Sequence, residues 1–330
     1  MVIINSKDKY FFNYYQALSL KIDWTPSTYS KEAINYLRRR INRKNTVLNN
    51  RSFILLANNN PIACFIGVKI SEKDKTNLYA YEQPCIVLVD QDTITKKQTK
   101  FFILEIERII NSIDGVFYYK DFVYRNNISP LSQYLLTQGE SPLLKFSSFI
   151  NLGKNESEIK RDIRKSYKSL INKSISELQP TIFDSSNISW DLLNEFRLLH
   201  IHESGQETMS VECWKDRWEM IKQGGAFLIL GKLQQDLVTA GFFTINQSHC
   251  YYGSSASRRG LFEKPLFHSV IWLAILYAKN KGCSWFEVGS KVYPYFMERD
   301  KITKKEIDIS KFKSGFGGDV RAFLEFKVVK

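Results

Sequence analysis

The sequence lacks a hydrophobic run long enough to cross a membrane, and its cysteines form no C-x-x-C pair. The longest uncharged apolar stretch, residues 270–278, is far shorter than the roughly 20 residues that a membrane-spanning helix needs. Residues 1–6 have neither the basic start nor the long apolar middle of a signal peptide. The five cysteines are scattered from Cys64 to Cys283, which favours reduced packing thiols over disulfides or structural zinc. These absences predict a cytoplasmic protein without a transmembrane segment or a metal site.

The chain has an excess of positive charge. Its 47 lysines and arginines against 34 acidic residues give a formal net charge of +13. Such a balance favours an anionic partner: a nucleic acid, a nucleotide-linked substrate, an acidic carrier protein or an anionic membrane face. A length of 330 residues, 44% of them hydrophobic, is sufficient for two domains with their own cores.

Periodicity predicts mixed α and β structure throughout. In the first half we expect helices over 9–20, 98–113 and 129–139. Strands are predicted over 53–57, 62–70, 85–89 and 115–119, with the first two joined by a turn at Asn58 to Pro61. In the second half we expect strands over 179–183, 226–233, 237–245, 250–255 and 285–288. An apolar face from Leu192 to Leu199 marks one helix, and Pro265 and Gly282 bound another.

A basic helix opens the second half of the chain. Asn155 and Glu158 have the spacing of a capping box, which predicts a helix that runs to about residue 172. Its basic residues lie on one predicted face: Arg161, Arg164, Lys165 and Lys168. Because the two halves share an order of elements, we predict two related α/β domains, 1–150 and 151–330, without a linker. The last strand can belong to either.

Two basic segments are candidates for chemistry. In residues 311–318, Lys311 and Lys313 flank Phe312, and three glycines follow that allow close backbone approach, so the segment fits an oxyanion or phosphate site. The alternative is a glycine-rich turn before a last strand. In the loop 254–265, Arg258 and Arg259 precede a helix start, which fits binding of a phosphate or carboxylate. The alternative there is a solvated loop.

Together these segments resemble a known family. The order of strands, basic loop, long helix and strand is that of the acyl-transferring half of the GNAT superfamily. Four stretches, 251–255, 265–283, 286–290 and 312–318, resemble the Fem family. These FemAB-like proteins are tandem-GNAT aminoacyltransferases that build peptidoglycan cross-bridges. The resemblance is clear over roughly 151–326 and is architectural before that.

The resemblance implies a fold and an activity. It implies two tandem GNAT-like domains packed around a central cleft, with a degenerate first domain (1–150) on the acceptor side and the acyltransferase domain at 151–330. It implies a bacterial enzyme of the cell envelope that forms an amide on an amino group of a peptidoglycan or polysaccharide precursor. No cofactor would be tightly bound, since the donor is a co-substrate: aminoacyl-tRNA, acyl-CoA or acyl carrier protein. Expected partners are a nucleotide- or lipid-linked amino-sugar or peptide acceptor, tRNA, and the inner membrane face by peripheral contact.

Residue roles follow from the same resemblance. Lys313 would stabilise the oxyanion or the leaving group, with Phe312 stacked nearby. His268 is a candidate general base, with packing as its alternative. The predicted substrate-binding residues are Tyr251, Tyr252, Ser254, Arg258, Arg259 and Arg217. The predicted binding residues for an anionic donor are Arg161, Arg164, Lys165, Lys168 and Lys311.

Some features depart from the family pattern, and other functions stay open. No coiled-coil arm is inserted, and residues 258–262 do not reproduce the Q/R-x-x-G-x-G/A turn of CoA-dependent GNAT enzymes. In the first half, no residue clearly matches the acceptor-phosphate lysine of the family. The nearest basic cluster is Arg38 to Arg40, and its alternative is a solvated helix end. His200 and His202 are two residues apart and so cannot easily share a metal ion on a helix.

Two alternative functions stay open for the chain as a whole. They are an acetyl-CoA-dependent sugar N-acetyltransferase and a non-catalytic nucleic-acid-binding protein on a GNAT-like fold.

Overall fold

A computed structural model describes residues 1–43, 46–72, 75–123, 127–294 and 302–330. The chain divides into two compact units. The first comprises Met1–Thr25, Leu37–Lys145 and Ala322–Lys330, and the second comprises Pro26–Tyr36 and Phe146–Arg321. Each contains helices and strands, so the predicted mixed α/β class is confirmed. Within these residues, no helix is both long and apolar enough to span a bilayer.

The described helices are α1 (Phe11–Ser19), α2 (Lys31–Asn42), α3 (Lys96–Ile110), α4 (Pro130–Thr137), α5 (Glu156–Asp162), α6 (Lys165–Leu178), α7 (Trp190–Ser204), α8 (Val211–Lys222), α9 (His268–Asn280) and α10 (Lys304–Ser314). The described strands are β1 (Val2–Asn5), β2 (Val47–Asn50), β3 (Phe53–Ala57), β4 (Asn60–Ile66), β5 (Val68–Glu72), β6 (Lys75–Tyr79), β7 (Ile86–Val89), β8 (Val116–Asp121), β9 (Leu143–Asn151), β10 (Thr181–Phe183), β11 (Ala226–Leu233), β12 (Asp236–Ile245), β13 (His249–Ser257), β14 (Trp285–Ser290) and β15 (Asp319–Val329).

The first unit contains two runs of paired strands. β1, β3, β4 and β7 pair in that order and are antiparallel. β15, β8, β6, β5 and β2 form the second run, in which β8 and β6 are parallel and the other neighbours antiparallel. Helix α3 begins with a capping box between Thr95 and Gln98 and buries Phe102 and Ile106 in the core of this unit. The first unit therefore has its own apolar core, to which Phe326 and Val328 of β15 contribute.

The strand predicted over 62–70 is in fact two strands. β4 ends at Ile66 and pairs with β3 and β7, whereas β5 begins at Val68 and pairs with β2 and β6. Gly67 lies between them, where a Cβ atom would come within 2.5 Å of the Phe65 ring. The sequence carried no sign of this break, because the buried residues continue without interruption from β4 to Val68 at the start of β5.

The second unit is a mixed sheet with helices on both faces. Its strand order is β10, β11, β12, β13, β14, β9, and β13 and β14 are the parallel pair. Parallel neighbours need a crossover connection, which α9 provides. Phe243 packs in the core with α6 and α9, whereas the adjacent Phe242 contacts Arg217 of α8. Because successive strand residues point to opposite faces, α9 and α8 lie on opposite sides of this sheet.

The single basic helix predicted over 155–172 is wrong. The capping box is present, but α5 ends at Asp162, Ile163 is extended with ψ 139, and α6 begins at Lys165. The Arg164 N–H donates to the Gly315 carbonyl over 2.9 Å, which replaces a helical hydrogen bond. The break keeps Ile163 buried in the same core as the apolar stripe of Ile159, Tyr167 and Ile171, against which the partly buried Leu170 packs.

This break also separates the basic residues that were predicted to share one face. Arg161 lies on α5, Lys165 and Lys168 lie on α6, and Arg164 is the N-cap residue between the two helices. The prediction of one basic helical face is therefore wrong: the basic residues are divided between two helices, α5 and α6, that are separated at Ile163 and Arg164.

Residues 311–318 form a helix end followed by a turn. Helix α10, which the sequence analysis did not predict, begins at a capping box between Thr303 and Glu306 and includes Lys311, Phe312 and Lys313. Gly315 packs against the Tyr167 ring. A Cβ atom on Gly317 or Gly318 would lie 2.7 Å from the carbonyl oxygen of Asp162 or 2.5 Å from that of Phe149. The absent side chains thus leave room for the Tyr167 ring and for the backbone carbonyls of Asp162 and Phe149.

Candidate active site

Lys313 is the centre of the candidate site. It lies in the last turn of α10, where the negative end of the helix dipole favours a cation. Its Nζ lies 4.8 Å from the centre of the Tyr252 ring. It also lies against Gly289, where a Cβ atom would be 2.5 Å from Nζ. Within the described ranges this ammonium has no hydrogen-bond or salt-bridge partner, so its N–H donors are available to an oxyanion.

Burial and one carboxylate set the charge of Lys313. Burial lowers the pKa of Lys313 from its ordinary range, because a partly dehydrated ammonium is disfavoured. The negative charge of Glu287 acts in the opposite direction and raises that pKa. The balance between these two effects determines whether Lys313 is a cation at the pH of the cell.

Of the two tyrosines predicted as acceptor-binding residues, Tyr252 lies against Lys313 and Tyr251 is its neighbour on β13. The Tyr252 ring packs between those of Phe243 and Phe267, at centroid distances of 5.6 and 5.3 Å. Its hydroxyl is hydrogen-bonded to Ser255, and burial raises its pKa to about 12. Burial, and then the charge of Glu287, raise the pKa of Tyr251 as well. Both phenols are therefore neutral near pH 7.

A buried network around Glu287 was not predicted. Glu287 is 7% exposed on β14, and its Oε1 accepts a 2.6 Å hydrogen bond from the Ser147 hydroxyl of β9. Its Oε2 lies 3.3 Å from Nε2 of His249, which is fully buried. Nδ1 of that histidine accepts the backbone N–H of Ser27 over 3.1 Å. Because Nδ1 is an acceptor, the imidazole carries its proton on Nε2, towards Glu287.

The sequence carried only a weak signal for this network. Glu287 is an acidic residue between apolar neighbours in a predicted buried strand, which is unusual enough to mark it. His249 gave no signal, because its partner Ser27 is 222 residues away along the chain.

Phe312 and His268 belong to one aromatic cluster. The His268 ring makes edge contacts with Tyr167 at 4.6 Å and with Phe312 at 5.2 Å, and it lies 6.2 Å from Phe316. Burial lowers the pKa of His268 to about 4, and the opposing effect of the Pro265 carbonyl is smaller. A group with so low a pKa is a weak proton acceptor, so these contacts favour the packing role over the general base.

Arg217 and Ser254 are brought together by α8 and β13. Arg217 donates a 3.0 Å hydrogen bond to the Ser254 hydroxyl. Its guanidinium lies over the rings of Trp214 and Phe242, at 5.0 and 4.9 Å. Ser254 is a strand residue, so the predicted loop is shorter than expected and begins after Ser257.

Arg258 and Arg259 are exposed at a short turn after β13. The Arg259 backbone N–H donates to Glu203 of α7 over 3.0 Å, which fixes the turn. Helix α9 begins at His268, three residues after Pro265, and not directly beside these arginines in sequence. The expected combination of basic loop and helix start is therefore interrupted by residues 260–267.

The basic residues predicted to bind an anionic donor gather where α5, α6 and α10 meet. The Arg164 guanidinium lies over the Tyr167 ring at 4.9 Å, and its Nη2 is 3.5 Å from the Lys311 carbonyl oxygen. Lys168 Nζ donates to the Arg161 carbonyl over 3.1 Å. Lys165 is exposed in the first turn of α6. Arg164 and Lys311, and Lys168 and Arg161, are therefore neighbours in pairs, although these cations do not share one helical face.

The cysteines and the histidines of α7 lie in surroundings that fit packing or surface roles. The five cysteines are buried free thiols. His200 packs edge-on against Phe196 and Trp214, whereas His202 is exposed beside Glu203. Among the residues that the structure covers, no three metal-ligating side chains cluster.

Comparison with known proteins supports the architecture. No protein-family model matches the sequence, and no curated protein matches it significantly. The structure superposes on FemX with a TM-score of 0.73 at 10% identity, over 98% of this chain and 97% of FemX. A tandem GNAT protein from the clavulanic acid biosynthesis pathway matches with a TM-score of 0.54 at 8% identity, over 99% and 97% of the two chains.

The chain has a tandem GNAT fold. A further match is the C-terminal domain of a putative lysylphosphatidylglycerol synthetase from Agrobacterium fabrum, with a TM-score of 0.55 at 7% identity, over 89% of this chain and 90% of that one. At such identities the likeness shows the fold alone. It confirms the tandem GNAT, FemAB-like architecture that was predicted from the C-terminal motifs.

Proposed function

We propose that this chain is an N-acyltransferase that transfers an acyl or aminoacyl group to an amino group of a cell-envelope glycan or peptidoglycan precursor. The observation that carries the proposal is the ammonium of Lys313, which is partly buried and unpaired within the described residues, beside Tyr252 and Gly289. The tandem GNAT fold and the resemblance of the C-terminal motifs to the Fem family support it.

Lys313 would act on the carbonyl oxygen of the donor. When the acceptor amine attacks the acyl carbon, a C–N bond forms and negative charge develops on that oxygen. The C–O bond of an ester donor, or the C–S bond of a thioester, then breaks as the amine proton passes to the leaving group. A fixed donor aimed at the developing charge contributes about 3–4 kcal/mol to the transition state. Because amide formation from an ester is downhill, positioning supplies much of the rest.

The acceptor and the donor would use different groups of the second unit. Tyr251, Tyr252 and Ser254 offer neutral hydroxyls to the acceptor, and Arg217 offers a cation to a carboxylate or phosphate on it. We assign the donor's phosphates to the cations at the junction of α5, α6 and α10. A tRNA donor fits the net charge of +13, and acyl-CoA and acyl carrier protein are the alternatives. Exposed cations such as Arg258 and Arg259 would also support peripheral contact with an anionic membrane face.

The test is acyl transfer by the purified full chain. Charged tRNA, acyl-CoA and acyl carrier protein are each offered with nucleotide-linked amino sugars and peptidoglycan precursors. We expect turnover with one donor, and a loss of about 10²–10³-fold in Lys313→Ala at unchanged folding. Lys305→Ala is the matched control, because it removes an exposed lysine from the same helix. Folded wild-type protein without turnover on any donor would defeat the proposal.

A further inference from the structure

Phe262 is exposed in a chain that otherwise buries its phenylalanines. It is 66% exposed, whereas every other phenylalanine that the structure describes is buried or half-buried. No ring contact joins Phe262 to another described side chain. One exposed apolar residue is common on soluble proteins, so the meaning of Phe262 depends on what surrounds it.

The turn that carries Phe262 is held by the backbone. The Leu261 N–H donates to the Arg258 carbonyl over 3.1 Å, and the Lys264 N–H donates to the Leu261 carbonyl over 2.9 Å. The Arg258 N–H donates to the Val238 carbonyl of β12 over 2.9 Å, and Leu261 packs against the small apolar cluster that contains Val238. Leu261 therefore faces the protein, and the next residue, Phe262, is kept in water although an apolar cluster lies beside the turn.

The exposed charges of this turn are mostly positive. Arg258 and Arg259 are exposed, and neither has an ion-pair partner among the described residues. Glu263, which follows the phenylalanine, is an exposed acid. Lys264 lies 3.7 Å from Glu177 of α6, so its charge is balanced within the protein. An apolar ring is thus preceded by two unpaired guanidiniums and followed by a single carboxylate.

A further acid near the turn is largely buried. Glu203 of α7 accepts the Arg259 backbone N–H over 3.0 Å, and its side chain is only 11% exposed. A carboxylate in that position fixes the turn but presents little of its charge to a surface that approaches from outside.

An anionic lipid surface fits this arrangement. Apolar side chains enter the boundary between headgroups and acyl chains, and basic side chains beside them bind anionic headgroups. Single-stranded nucleic acid is held by several aromatic side chains in succession, whereas the turn offers one ring. A specific protein interface covers about 800 Å² of each partner, which is far more than one exposed ring.

We propose that residues 258–264 form a membrane-docking turn. In this turn Phe262 enters the apolar boundary of an anionic bilayer while Arg258 and Arg259 bind lipid phosphates. The inference deepens the proposed function and rests on it for the reason why the protein visits a membrane, since an acyltransferase of envelope precursors meets its acceptors there. The binding itself does not depend on acyl transfer.

The docking turn follows the strand that lies against the candidate site. β13 runs from Tyr252, which packs beside Lys313, to Ser257, which directly precedes the turn. At about 3.3 Å per residue, this part of the strand is shorter than roughly 20 Å. A membrane bound at the turn would therefore meet the protein within about that distance of the Lys313 site.

The first test is co-sedimentation of the full chain with vesicles. Vesicles of equal parts phosphatidylglycerol and phosphatidylcholine should bind it, and pure phosphatidylcholine should bind it much less. Phe262→Ala should lower the partition coefficient about tenfold at low and at high salt, because the lost contribution is apolar. Arg258→Gln and Arg259→Gln should each lower it about fivefold at low salt, and less at high salt. Glu263→Gln should raise it, because a carboxylate beside the lipid phosphates is removed.

Matched controls come from the same unit. Leu198→Ala is the control for Phe262→Ala, because Leu198 is a 54% exposed apolar residue on α7. Lys305→Ala removes an exposed cation of α10 and is the control for the arginines. Both controls should bind vesicles as the wild-type chain does. Unchanged binding in folded Phe262→Ala, an equal loss in Leu198→Ala, or a wild-type chain that does not bind anionic vesicles overturns the proposal.

A probe at Gly260 tests whether the turn itself enters the bilayer. The five native cysteines are buried, so a thiol introduced by Gly260→Cys can be labelled selectively with an environment-sensitive fluorophore. A Cβ there meets no atom within 4 Å, so the change should fit. Anionic vesicles should raise the emission and shift it to the blue, and Phe262→Ala should remove most of this response. If tRNA produces the response and vesicles do not, the turn binds nucleic acid and the proposal is wrong.

The two proposals fail in different ways. Vesicle binding that depends on Phe262, without turnover on any donor, retains the membrane-docking turn and rejects the acyltransferase. Turnover that depends on Lys313, by a chain that does not bind anionic vesicles, does the opposite.

Discussion

Replacement of Gly289 by alanine should have two separate effects. It should lower the free energy of unfolding through backbone strain, and it should lower the rate of acyl transfer because the Lys313 ammonium is displaced. Gly289 has φ +113, a conformation that residues with a side chain rarely adopt. Strain of that kind costs about 1–3 kcal/mol. The new Cβ would also lie 2.5 Å from Lys313 Nζ. Since Nζ ends a flexible side chain, it moves away at little energetic cost, but the ammonium leaves its place.

The two effects should therefore be measurable separately. In urea unfolding, Gly289→Ala should lower the free energy of unfolding by about 1–3 kcal/mol. The same decrease should occur when Lys313 is already alanine. In the transfer assay, Gly289→Ala should lower the rate by up to about 10²–10³-fold when Lys313 is present. In the Lys313→Ala variant, the same glycine change should lower the rate little further. Stability would then be additive and rate non-additive, which is the signature of a residue that acts on rate through Lys313.

A control is available at Gly260, where a Cβ would meet no atom within 4 Å. Gly260→Ala should change neither quantity much. Full activity in folded Gly289→Ala would refute the assigned position of the ammonium. An equal fractional loss of rate in both Lys313 backgrounds would refute the claim that Gly289 acts through it.

Two further predictions concern His268 and the donor-binding cations. The pKa of His268 is about 4 in the folded protein, below its ordinary value of 6.5, so stability should fall as pH drops from about 6.5 to 4, where only the unfolded chain is protonated. His268→Phe should remove that part of the pH dependence of urea unfolding, and an unchanged difference between pH 7 and pH 4 would contradict it. If tRNA is the donor, Arg164→Ala and Lys311→Ala should each reduce the slope of log affinity against log salt by about one, measured by filter binding. Lys7→Ala is the exposed control, and an unchanged slope in both site variants would place tRNA elsewhere.

The sequence was most informative where one local rule determines the structure. The turn at Asn58 and Asn59 was predictable because both residues tolerate positive φ, which they adopt. The capping box at Asn155 placed the start of α5 correctly. Periodicity failed at Ile163 because an apolar stripe continues across the break, and only the contact with Gly315 reveals it. Local patterns report which residues are buried, but not whether the backbone turns between them.

The candidate site was predictable to the same extent. Lys313, Phe312 and Tyr252 were identified from motifs, and the structure brings Lys313 onto the Tyr252 ring. The Thr303–Glu306 capping box is a local signal for the start of α10. The Glu287–His249 pair depends on Ser27, far away in the sequence. No spacing rule connects residues whose only relation is that a sheet forms between them.

The three glycines of residues 315–318 pack against the protein's own chain next to Lys313. Gly315 lies on Tyr167, Gly317 on the Asp162 carbonyl, and Gly318 on the Phe149 carbonyl. These three contacts hold the end of α10 against the α5–α6 break and against β9. Any side chain there would push the helix end outward, and Lys313, two residues before Gly315, would move with it. We therefore attribute the glycine run to positioning of the ammonium. Because these residues have no side chains, the end of α10 packs closely enough for Lys313 Nζ to lie beside Gly289 and Tyr252.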